Sequence, residues 1–249
     1  MSTSGSTTFE HINVVVCVPS TGTWASSFGH ALAIMAADFM TWKPEGCRSK
    51  FIQLFTQDSS MLVQSRHDLV KNALAAKASH VLFLDSDMVF PKDLLQRLLE
   101  ANKDIIGVNC TTRGWPVTHI AHDFMQDLVD SRQRSGLERV QQVGLAVMLI
   151  RADVLRAMRP PLFMMEWVPD TGSYCGEDIY FCQLAQEAGF DVWVDHDLSK
   201  QVLHIGHMAF GPDLMRIGPE VKRILEARGE ARTAVHKAEL RKLTSAKGA

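Results

Sequence analysis

Val81-Leu82-Phe83-Leu84-Asp85-Ser86-Asp87 decides how this chain is read. Side chains on a strand alternate between its two faces, so four apolar residues in a row put apolar groups on both. Such a run belongs to a strand covered on both sides, as in the centre of an α/β sheet. It stops at two carboxylates, at the end of the strand where open α/β sheets bind ligands. Asp85 and Asp87 lie two apart, so on an extended segment they point the same way. Two hard oxygen ligands on one side suit Mg²⁺ or Mn²⁺ beside a diphosphate. The competing reading is a strand-end turn with solvated acids. The apolar run before the turn favours the metal, as does the helix start after it, at Pro91 with Asp93 in the first turn.

Working outward, Asn13 to Val18 is an apolar β-branched run ending at Pro19-Ser20-Thr21-Gly22, which reads as a buried strand and a tight loop. Phe28 to Phe39 predicts a helix and Phe51 to Phe55 a short strand. Ser65-x-x-Asp68 reads as a capping box opening a helix through Ala78. After the acidic turn come a helix to about Ala101 and a strand at Ile105 to Val108. The segment Thr111 to Val140 is irregular. Ala146 to Ile150 predicts a strand, Arg159 to Gly176 a long loop, and Glu177 to Ala188 a helix stopped by Gly189. Val192 to Val194 and Val202 to Ile205 are short strands. This alternation predicts an α/β fold with a sheet of parallel strands. Residues 1–10 read as a disordered N-terminus, 11–210 as the catalytic domain and 211–249 as a basic helical tail.

The chain has 249 residues, 46% of them hydrophobic, which is enough for one sizeable core. A net charge of -2 does not by itself predict a polyanionic partner. The tail differs: from Asp213 onward it holds nine Lys and Arg against five Asp and Glu. The cysteines are Cys17, Cys47, Cys110, Cys175 and Cys182, an odd number with no C-x-x-C spacing. A disulfide framework or structural zinc site is not expected, and a reducing cytoplasm fits. No apolar run reaches the length of a membrane span, and Met1 to Thr8 lacks the pattern of a signal peptide.

Further residues suggest chemistry. Gly176-Glu177-Asp178 stands at a helix start, where a carboxylate is stabilised by the helix N-terminus. Glu177 or Asp178 either caps that helix or accepts a proton from an acceptor hydroxyl. Among His196, His204 and His207, His204 follows a short strand and precedes Gly206. Its imidazole either completes a metal shell or packs structurally. Arg66 and Arg113 are phosphate or base contacts, or solvated. Trp115 and Trp167, both in loops, stack on a sugar or base, or pack in the core.

In this order the features resemble GT-A glycosyltransferases, over roughly Ile12 to His207. Ser65-Arg66 followed by the run from Val81 to Asp87 resembles their core of arginine, strand and Asp-x-Asp (DXD) motif. Gly176-Glu177-Asp178 before a helix resembles their acceptor-side acid motif. His204 sits where the family often places its last metal ligand. Glu177-Asp178-Ile179-Tyr180-Phe181-Cys182, with the stretch from Val192 to Lys200 and His204-Ile205-Gly206, is similar to a phage-associated branch. Some members of that branch are linked to sugar addition on hypermodified DNA bases.

The resemblance implies a GT-A fold, α/β with a mixed, mostly parallel central sheet flanked by helices, and transfer of a hexose or pentose from a nucleotide-sugar, taken as a UDP-sugar, with Mn²⁺ or Mg²⁺. It implies that Pro19, Ser20, Thr21 and Gly22 line the nucleotide site and that Arg66 contacts the donor. Asp85, with Ser86 beside it, faces the ribose or sugar and stands close to the metal; Asp87 binds the metal and His204 is the second protein ligand. Asp178, beside Glu177, is the base if the anomeric centre inverts. Trp115, Trp167 and Arg113 fall on the acceptor side. The expected acceptor is 5-hydroxymethylcytosine in double-stranded bacteriophage DNA, in the host cytoplasm; a glycan, lipid or protein acceptor is the alternative. A nucleotidyltransferase would carry a basic Gly-rich loop after the first strand, and Pro19 to Trp24 has no Lys or Arg. A non-catalytic sugar- or nucleic-acid-binding module on the same fold would have lost the acidic turn, the arginine or the late histidine.

Overall fold

The computed structural model describes residues 10–114, 117–170 and 172–206, together with Arg223 and Glu226. The elements begin with β1 (His11–Ser20), α1 (Ser26–Thr41), β2 (Ser49–Asp58), α2 (Leu62–Ala75) and β3 (His80–Leu84). Next come β4 (Met88–Val89), α3 (Leu94–Glu100) and β5 (Ile105–Gly107). After an irregular stretch follow β6 (Leu137–Val140), β7 (Val147–Arg151), α4 (Ala152–Ala157), β8 (Glu166–Val168) and β9 (Ser173–Cys175). The series closes with α5 (Glu177–Glu187), β10 (Val192–Asp195), α6 (His196–Ser199) and β11 (Leu203–His204).

The main sheet has seven strands in the order β2-β1-β3-β7-β5-β10-β6. Strands β2, β1, β3, β5 and β10 share one direction, while β7 and β6 run against it. The sheet is therefore mixed and mostly parallel, as the resemblance implies; the alternation alone predicts parallel strands, and β6 and β7 depart from it. Its strands sort their side chains into two cores by parity. Val15, Cys17, Val81, Phe83, Met148 and Ile150 face α2, α4 and α5. Val14, Val16, Leu82, Leu84, Val147 and Leu149 face α1 and α3. Both faces are thus closed by helices, which is why Val81 to Leu84 carries no polar residue.

Two local expectations need correction. α2 begins at Leu62, so Ser65 is not its cap; it is buried inside the helix and its Oγ donates to the Met61 carbonyl at 3.2 Å. A serine facing the core meets its hydrogen-bonding need by this bond back along the helix, not by capping. The long loop from Arg159 to Gly176 contains the antiparallel β8–β9 pair, whose three-residue strands are too short to show a period.

All five cysteines are free. Among the described residues, no helix is long and apolar enough to cross a membrane. The chain divides into two compact units, Met1–Gly206 and His207–Ala249, and the sheet lies in the first. Residues 1–9, Trp115, His207 and the tail, apart from the helical residues Arg223 and Glu226, lie outside the described residues.

Candidate functional site

The acidic turn is held from three sides. As β3 ends, the Asp85 amide donates to the Ala146 carbonyl at 2.9 Å, just before β7. The Ser86 carbonyl accepts from the Ala25 amide at 3.1 Å, tying the turn to the loop after β1. The Asp87 carbonyl accepts from the Ile205 amide at 2.8 Å, and β4 pairs with β11 so that Met88 stands opposite His204. This two-residue pairing carries His204 from the far end of the chain to the acidic turn.

His204 Nε2 lies 3.4 Å from Asp87 Oδ1, and His204 Nδ1 lies 2.8 Å from the Thr111 carbonyl oxygen. A carbonyl only accepts, so Nδ1 carries a proton and Nε2 is the nitrogen turned toward Asp87. Such a fixed imidazole is typical of metal-ligating histidines, whose other nitrogen donates to a carbonyl or carboxylate. The second oxygen, Asp87 Oδ2, accepts from Arg113 Nη1 at 2.5 Å. Burial works to raise the Asp87 pKa, but the His204 hydrogen bond and the charges of His204 and Arg113 outweigh it and hold the carboxyl below its usual range. The hydrogen bond to Asp87 raises His204, against partial burial.

A divalent cation fits this donor set of one carboxylate and one oriented imidazole. No group of three or more His, Cys, Asp or Glu side chains among the described residues is placed to hold a metal. Asp85, expected near the metal, pairs with Arg66 instead of joining such a group. A cation held by Asp87 and His204 would draw its remaining ligands from substrate oxygens and water.

Arg66, from α2, is the largest fully buried side chain among the described residues, at 2% exposure. Its Nη2 donates to Asp85 Oδ1 and its Nε to Glu177 Oε1, both at 3.1 Å. One guanidinium thus joins the end of β3 to the first residue of α5. Its Nη1 is buried with no hydrogen-bond partner, a rare condition in folded proteins that calls for an explanation. An acceptor atom of a bound molecule would satisfy it.

Asp178 is the next residue along α5, half-buried, and its Oδ1 accepts from the Ile179 amide at 2.9 Å. Burial, and then the charge of Glu177, raise its pKa. Gly176 makes room for it: a Cβ there would stand 2.5 Å from Asp178 Oδ1, whereas one on Gly144 would collide with Ile120 and lie at ordinary contact distance, 3.5 Å, from Oδ2. Glu177, proposed beside Asp178 as an acid or base, is committed to Arg66.

Pro19 and Ser20 end β1, and Ser20 Oγ accepts from the Gly22 amide at 2.9 Å. Gly22 turns the chain at φ 93°, where glycine is favoured. Trp167 lies half-exposed on β8 with its ring edge-on to Tyr174 at 5.1 Å. His196 is used differently from His204: it is buried, with Nδ1 on Ser131 Oγ and Nε2 on Glu138 Oε2. A cavity of about 340 Å³ lined by Thr111, Val117, His119, Leu128, Asp130 and Arg132 adjoins the site through Thr111. The sequence reading missed Thr111 and the cavity, which an irregular stretch without a period supplies, and Gly144, which lies between β6 and β7.

The Anp1 family model matches residues 28–124, less than half of the chain but including Arg66, the acidic turn and Arg113. No curated protein matches. Among solved structures, A197 from STIV is 13% identical with a TM-score of 0.48, covering 80% of this chain and 98% of that one. S. aureus TarS 1-349 in complex with UDP-GlcNAc is 14% identical with a TM-score of 0.42, covering 80% of this chain and 60% of that one.

Proposed function

We propose that this protein is a metal-dependent glycosyltransferase of the GT-A type, moving a sugar from a nucleoside diphosphate, uridine first, to a hydroxyl acceptor. The observation that carries the reading is the convergence of Asp87, His204, Arg66, Asp85 and Glu177 from four distant segments, with Asp178 alongside. The Anp1 match, to a glycosyltransferase-like family, spans three of these residues and supports it.

The reaction breaks the bond between the anomeric carbon and the β-phosphate oxygen and forms one to the acceptor oxygen. A cation bound by Asp87 and His204 would supply positive charge against the departing diphosphate. Arg66 Nη1 offers an N–H to the donor, and its two ion pairs hold it in place. Asp178 takes the acceptor proton in an inverting reaction, and its raised pKa makes it a stronger base than a solvated aspartate. Glu177 acts through Arg66 as a positioning residue.

The proposed acceptor is 5-hydroxymethylcytosine in DNA. Its support is the similarity to the phage-associated branch and the nine basic against five acidic residues from Asp213 onward. Such a tail attracts a phosphate backbone without reading sequence. A duplex base must leave the stack to react, at a cost of roughly a few kcal/mol.

The test is a donor panel with Mn²⁺ and duplex DNA with or without hydroxymethylcytosine, read by diphosphate release and nucleoside mass. Wild type should add a sugar mass to the modified base, and chelation or Asp87→Ala should abolish it. Turnover indifferent to both sinks the metal-dependent reading. If donors turn over but only a glycan, lipid or protein gains mass, the DNA acceptor falls and the transferase stands.

A further inference from the structure

We infer that Arg113 is an exchangeable latch on the cation site: it rests on Asp87 and transfers to the donor's diphosphate, so that cation and donor load together. The inference rests on the proposed function and gives a defined role to Arg113, which the sequence offered as a phosphate or base contact and the resemblance put on the acceptor side.

Both oxygens of Asp87 are engaged, Oδ1 facing His204 at 3.4 Å and Oδ2 accepting from Arg113 at 2.5 Å. A cation bound by this carboxylate meets the guanidinium on the same group, and the two positive charges repel. Arg113 can yield. Its side chain is 56% exposed, and ion pairs so exposed are weak. Its root is held: a Cβ on Gly206 would stand 3.3 Å from Arg113 Cβ and 3.5 Å from the Arg113 carbonyl oxygen. The backbone is therefore packed against the residue two beyond His204, while the long side chain retains its reach.

A diphosphate is the natural destination. A guanidinium binds phosphate oxygens through two parallel N–H bonds. Among the described residues no third His, Cys, Asp or Glu joins Asp87 and His204, so the cation also depends on donor oxygens. One event then serves both: the diphosphate draws Arg113 off Asp87 Oδ2 and supplies the cation's missing ligands. Occupancy by either ligand favours the other, and the coupling is reciprocal.

The first measurement is Mn²⁺ binding by electron paramagnetic resonance, without nucleotide, to wild type, Arg113→Met and Asp87→Asn. The latch predicts that Arg113→Met binds Mn²⁺ roughly three- to fivefold more tightly than wild type, the scale of one exposed ion pair. Asp87→Asn should lose binding. The second measurement is calorimetry with UDP, GDP, ADP and CDP, with and without Mn²⁺. Arg113→Met should bind the preferred diphosphate roughly tenfold more weakly, and the gain in its affinity on adding Mn²⁺ should shrink. If Asp87→Asn abolishes Mn²⁺ binding but Arg113→Met leaves it unchanged, the latch is overturned and the metal site of the proposed function stands. If Arg113→Met loses diphosphate without gaining Mn²⁺, Arg113 is a fixed phosphate contact and the exchange is wrong. A wild type that binds neither Mn²⁺ nor any of the four diphosphates removes both the latch and the function it rests on.

Discussion

Replacing Arg66 by methionine tests whether one buried guanidinium holds the site together. Methionine fills much of the same space but strands two carboxylates. Removing one partner of a buried ion pair costs about 3–5 kcal/mol. Glu177, whose side chain is 13% exposed, is close to that case, whereas Asp85, at 30%, is partly relieved by water. The low end, about 3 kcal/mol, covers Glu177, and Asp85 adds about 1. Against this, the substitution removes the unpartnered Nη1, whose burial costs about 1–2 kcal/mol. The net loss is about 2–3 kcal/mol, or a fall in melting temperature of about 4–12 °C for a unit near 200 residues. Thermal unfolding followed by circular dichroism measures it. The mechanism is checked by adding Glu177→Gln to Arg66→Met. With the stranded charge gone, the double variant should recover stability, giving a coupling energy of at least about 1 kcal/mol. A melting temperature within 2 °C of wild type, or single effects that add to within about 0.5 kcal/mol, would refute the bridge.

Asp178→Asn separates catalysis from stability. Because burial raises the native pKa above the ordinary 3.8, the carboxylate costs the native state nothing below that value and its full cost above the raised one. The stability of Asp178→Asn relative to wild type should therefore rise as pH increases from below 3.8 to 7, while turnover falls by about 10²–10⁴; a stability difference independent of pH contradicts the burial argument. Gly176→Ala places a Cβ 2.5 Å from Asp178 Oδ1 and forces the carboxylate to move. Turnover should drop at least about tenfold for a stability loss of only about 1 kcal/mol, and a variant with wild-type turnover would show that Asp178 need not sit where the structure places it.

Much of the fold was legible in the sequence because burial leaves a local mark. Val81 to Leu84 is apolar at every position since helices close both faces of β3, and the parity that sorts Leu82 from Phe83 follows from strand geometry alone. The acidic turn and the Asp178 helix were legible for the same reason, each standing at the end of an element whose period is plain; Arg66, inside α2, and His204, on the two-residue β11, were legible as residue types in an order that resembles GT-A glycosyltransferases. What local pattern does not contain is the identity of the neighbour. Nothing in Val147 to Arg151 says that β7 runs antiparallel between β3 and β5. Ser65 resembles a cap until the helix is seen to begin earlier and bury it. That Arg66 ties Asp85 to Glu177, that Arg113 rests on Asp87, and that a two-residue strand pair delivers His204 to the acidic turn are contacts between segments far apart in the chain. Periodicity reports which face of an element is buried; only the packed chain decides which charge stands opposite which, because that pairing depends on the whole sheet order and on no single segment.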